Sequence, residues 1–89
     1  MTDKTEDRVF NQLKRVLREN LMMEARIVDA LRPSDDLFDV PYNLQGRDLA
    51  YVVVLLEEIF NQNVTAHDIL HGKLSAVEGL MAAFSHSSG

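Results

Sequence analysis

The chain has no cysteine, which excludes disulfides and thiolate metal sites. No apolar run approaches the ~18 residues of a membrane span. The best candidate, residues 44–60, carries Asp48, Glu57 and Glu58. The opening MTDKTEDR is charged and holds no apolar signal region, so a cytoplasmic address is expected. Catalytic signatures are missing too: there is no Ser-His-Asp arrangement and no glycine-rich phosphate loop. Gly46, isolated in LQGRD, makes a poor phosphate cradle. The chain is therefore not expected to be an enzyme.

What remains fits one small globular domain. Of the 89 residues, 46% are hydrophobic and 26% charged, a balance of folded rather than disordered chains. A net charge of −5 disfavours nucleic acid as a partner. The charge is unevenly placed. Residues 33–72 hold seven acids (Asp35, Asp36, Asp39, Asp48, Glu57, Glu58, Asp68) against one base, Arg47, a net of −6. Five of the nine bases lie in the first 18 residues: Lys4, Arg8, Lys14, Arg15 and Arg18. Such a split is either a solvated surface or an acidic face that meets a basic partner, and composition alone favours the first.

The longest apolar stretch, LQGRDLAYVVVLLEEIF, spans Leu44 to Phe60. Its β-branched centre, YVVVLL, would suit a buried strand. Length favours a helix, because residues 48–60 contain neither glycine nor proline. Leu49, Val52, Val53, Leu56, Ile59 and Phe60 then form one stripe. Asp48 sits where the positive end of the helix dipole favours a carboxylate. A helix with so little polar surface is expected to be surrounded by others or to meet a partner.

Upstream, Val9, Leu13, Val16, Leu17 and Leu21 recur at helical spacing and predict an amphipathic helix over 5–21. Met22 and Met23 follow as core filler. Residues 24–31 can make a turn or two of helix before Pro33 stops it. A connection of about twenty residues, 24–43, is long enough to be functional or packed on the core. Downstream, Thr65-Ala66-His67-Asp68 predicts a short helix to about His71, closed by Gly72. Ser75-Ala76-Val77-Glu78 is a capping box, and Val77, Leu80, Met81 and Phe84 predict a last helix over 76–84. Residues 1–84 thus form one helical domain and 85–89 a polar tail.

This order resembles the acyl carrier protein family. TEDRVFNQLKRVLRENL is similar to the family's first helix, and DDLFDV to the DDLFDLG that ends its long first loop. LAYVVVLLEEIF resembles its recognition helix, NQNVTAHDIL the approach to its short third helix, and KLSAVEGLMAAF its last helix. The resemblance covers nearly the whole chain and implies an all-α, acyl-carrier-like four-helix bundle with a long first loop and a short third helix. The family carries 4′-phosphopantetheine on the serine of a D-S-L motif at the start of the recognition helix. Aligned on Leu56 to Phe60, that position is Gly46; aligned on Asp36 to Asp39, it falls nearer Leu44. No serine lies between Ser34 and Ser75. The group expected of the family therefore has no hydroxyl to hold it, and no cofactor is expected.

The chain is also similar, through YNLQGRDLAY and the lost serine, to acyl carrier-related proteins of peptide-maturation systems. The resemblance implies a docking or accessory role for a biosynthetic or peptide-maturation enzyme, through contact with a basic patch on that partner. Asp48, Glu57 and Glu58 would supply charge, with Arg47, Tyr51 and Val54 at the contact centre. A carrier with a non-standard attachment site and a generic helical interaction domain are the alternatives. His67 and His71, at i and i+4, could share a helix face, but they have no third convergent ligand, so no metal is expected. A monomer that binds neither membrane nor nucleic acid completes the expectation.

Overall fold

Across residues 4–64 and 74–85, which the computed structural model describes, four helices form and no strand. They are α1 (Lys4–Glu19), α2 (Ala25–Asp29), α3 (Gly46–Phe60) and α4 (Val77–Ser85). The Cα radius of gyration is 12.0 Å, matching the ~12 Å expected of a compact chain this long. The helix expected over 65–71, with His67, Asp68 and His71, lies outside the described residues, as does most of the polar tail.

Helix α1 places Val9, Leu13, Val16 and Leu17 on one fully shielded stripe. That stripe contacts α2, α3 and α4, and α3 also meets α4. Among the described residues the other helices therefore assemble on α1, and α3 packs chiefly against α1 and α4. Its Val52 and Leu56 are buried and Leu49, Val53 and Phe60 half-buried, as the periodicity predicts. Ile59 departs from the predicted stripe and is 40% exposed. The Phe60 ring lies 6.1 Å from that of Phe84 on α4, and the Arg8 guanidinium of α1 stands 5.3 Å over its centroid. Phe60 thus joins three helices through one side chain.

The end of α1 corrects the expectation for its methionines. Met22 takes a left-handed φ of 57° and is 81% exposed. The Met23 N–H returns to the Leu17 carbonyl at 3.1 Å, so the chain reverses there and swings Met22 outward. Only Met23 packs against the core.

The long connection is fastened to the start of α4. The Leu37 N–H donates to the Ser75 carbonyl at 2.7 Å, and the Val77 and Glu78 N–H groups donate to the Asp35 and Pro33 carbonyls at 3.0 and 3.1 Å. The first amides of α4 are thus satisfied by loop carbonyls. The Ser75 hydroxyl, expected to cap that helix, donates instead to the Asp36 carboxylate at 3.2 Å. Asp36 and Ala76 pair as an isolated antiparallel bridge.

Candidate functional site: the outward face of α3

Three local arrangements fix α3. At its start, Gln45 is the extended N-cap, and the Asp48 carboxylate reaches back to accept the Gln45 N–H at 3.0 Å. This is one arm of a capping box and satisfies an amide the helix cannot. At its end, Asn61 turns left-handed and its N–H returns to the Glu57 carbonyl. The Glu57 carboxylate then accepts the Val64 N–H at 2.8 Å. In front of the helix, the Leu44 N–H donates to the Leu37 carbonyl at 2.9 Å and closes the loop between them.

That loop is braced from inside by Tyr42. Its ring is buried, and its hydroxyl donates to the Asp35 carboxylate at 2.6 Å. The Arg32 N–H donates to the same carboxylate at 2.9 Å, with the Arg32 guanidinium 3.6 Å away. The Tyr42 hydrogen bond, then the Arg32 amide, hold the Asp35 pKa below its ordinary value. Burial first, and the adjacent Asp35 second, push the Tyr42 hydroxyl up to about 12. The two shifts agree in describing a phenol that donates to an ionised carboxylate.

The expected partner-binding residues divide accordingly. Arg47, Tyr51, Val54 and Glu58 are exposed together on the outward side of α3. Tyr51 is 45% and Val54 48% accessible. Neither Arg47 nor Glu58 has an ion-pair partner among the described residues. Asp48 and Glu57, by contrast, are half-buried and hydrogen-bonded to their own backbone. The acidic character of the outward face therefore rests on Glu58, with Asp39 exposed in the neighbouring loop. Phe38 and Val40, in the loop before α3, are also exposed, which the sequence did not single out.

Beside the stripe, a groove of about 340 Å³ is lined by apolar Leu49, Ala50, Val53, Val54 and Leu74, with Gly46 and Glu57 at its edges. Gly46 is the first helical residue and is exposed, and a Cβ placed on it would meet nothing within 4 Å. Its φ is not positive. Neither packing nor backbone conformation requires glycine there. Among the described residues, no three His, Asp or Glu side chains gather as metal ligands, and no helix is long and apolar enough to cross a membrane.

Comparison with family models, curated proteins and solved structures found no match.

Proposed function

We propose that this chain is an acyl carrier-like docking protein that works without a prosthetic group. It would bind a biosynthetic or peptide-maturation enzyme in the cytoplasm through the outward face of α3. The observation that carries the reading is the exposed stripe Arg47, Tyr51, Val54 and Glu58, whose apolar centre is left without a partner by the chain's own fold. Aromatic and arginine side chains at the centre of a patch are typical of protein contacts. A partner with a basic group beside an apolar spot would match Glu58 next to Val54 and Tyr51 along the helix. Gly46, at the position where the family resemblance expects serine, offers no atom for a phosphodiester.

The test uses coenzyme A and a broad-specificity phosphopantetheinyl transferase, read by intact mass. The natural chain should stay unmodified, while Gly46→Ser, which has space for its side chain, should gain one phosphopantetheine. Modification of the natural chain would instead mean a working carrier with an unexpected attachment site. Failure of Gly46→Ser to react, with its fold intact by circular dichroism, would remove the carrier-like reading and leave a generic helical interaction domain.

A further inference from the structure

We propose that the outward stripe of α3 also pairs with itself, joining two copies of this chain through antiparallel α3 helices. The proposal goes beyond the docking reading and does not depend on it, because it needs no other molecule.

Arg47, Tyr51, Val54 and Glu58 stand at i, i+4, i+7 and i+11. This alternation of four and three residues is the seam of a coiled coil. At about 100° per residue, the four side chains fall within an arc of about 60°. They form one narrow line along a 15-residue helix, and all four are exposed.

The order of residues along this line is self-complementary. It runs base, aromatic, aliphatic, acid. A two-fold axis midway between Tyr51 and Val54 sets Arg47 of one copy opposite Glu58 of the other, and Tyr51 opposite Val54. Both pairings occur twice, as an isologous contact requires. The antiparallel arrangement also opposes the two helix dipoles favourably. A parallel pairing would bring Arg47 onto Arg47 and Glu58 onto Glu58, so the charges select the antiparallel form. The same symmetry would bring Asp48 towards Glu57 of the second copy at the flanks. Those carboxylates are drawn back by the Gln45 and Val64 N–H groups of their own chain, at 3.0 and 2.8 Å. Arg47 and Glu58 have no ion-pair partner among the described residues and are free for the second copy.

Size sets the strength. A helix of 15 residues offers a seam only about 22 Å long. One such seam buries less than the ~1,200 Å² of a standard stable interface. The dimer is therefore reversible and concentration-dependent, and it covers the surface assigned to docking, so a partner enzyme would compete with the second copy.

Sedimentation velocity of the purified full chain, from micromolar to millimolar, tests this directly. The natural chain should shift from one copy towards two across that range. Arg47→Glu and Glu58→Arg, each alone, place like charges at both ends of the seam and should weaken the dimer by about tenfold. An equimolar mixture of the two variants restores both attractive pairs and should recover association as a heterodimer. Circular dichroism checks that each variant is folded. A natural chain that stays monomeric at millimolar concentration overturns the proposal. So does a pair of variants that associate individually as the natural chain does, or a mixture that fails to recover. Because no partner enzyme is present, failure here leaves the docking reading standing, and failure of docking leaves the dimer standing.

Discussion

Truncating Leu56 tests the placement of α3 against its alternatives. Leu56 is 0% exposed, and it belongs to the one buried cluster to which all four helices and the long loop contribute. Leu56→Ala removes its buried methyl groups and leaves a cavity whose walls collapse only in part. The expected cost is about 3 kcal/mol, within the ~2–5 kcal/mol of comparable core truncations. A domain of this length loses ~4–8 °C of melting temperature per kcal/mol, so the midpoint should fall by about 12–24 °C. Ile59 is the control, because periodicity places it on the same buried stripe whereas the structure leaves it 40% exposed. Ile59→Ala forfeits only part of a ~1.5–3 kcal/mol burial, and alanine's better helix propensity offsets some of that. Its cost should stay below about 1 kcal/mol, a third of the Leu56→Ala effect. Thermal melts followed at 222 nm, with urea titrations for free energies, give both values. Equal losses from the two variants, or a Leu56→Ala protein that melts like the parent, would refute the rotation of α3.

Three further outcomes follow from the loop and the helix start. Tyr42 keeps its proton in the folded chain up to about 12 against 10.0 for an ordinary phenol. Its contribution is full below pH 10.0 and is lost as pH rises towards about 12. Tyr42→Phe should be less stable at neutral pH, and the gap should narrow through that alkaline window in urea titrations. Asp35 is shifted the other way from 3.8. Its contribution is present above that pH and fades as pH falls through the lower folded value. Asp35→Asn should therefore lose stability at neutral pH and converge with the parent in acid; parallel curves would contradict the Tyr42 and Arg32 contacts. Gly46→Ala should raise stability by ~0.4–1 kcal/mol, since a Cβ fits and the unfolded chain loses freedom. A lower melting temperature would show that the glycine is needed for packing after all.

Periodicity made α1, α3 and α4 legible, because burial on one side of a helix leaves a record every three or four residues. The record stops where backbone geometry decides. Nothing in the letters of Met22-Met23 shows that one takes a left-handed conformation and faces solvent while the other packs inward. Likewise Ser75-Ala76-Val77-Glu78 reads as a local capping box, yet distant carbonyls at Pro33 and Asp35 receive the amides of α4. The candidate site was half legible. Arg47, Tyr51, Val54 and Glu58, none of them on the apolar stripe, fall on the outward side. Asp48 and Glu57 looked equivalent to Glu58 as charges, but each is held by an amide of its own chain. A count of acids cannot separate a carboxylate that caps from one that is free.

The fastening of the loop to α4 also bears on when the fold is completed. The hydrogen bond between Asp36 and Ser75 joins residues 39 apart in sequence, and the Leu37 and Val77 amides make bonds of similar span. Such contacts demand that a long chain segment be closed before they return anything. They are expected to form after the rate-limiting barrier of folding, once α4 has docked on α1. Weakening them with Asp36→Ala or Ser75→Ala would then quicken unfolding while leaving the refolding rate nearly untouched. The loop beside α3 would be the last part of the molecule to set and the first to let go.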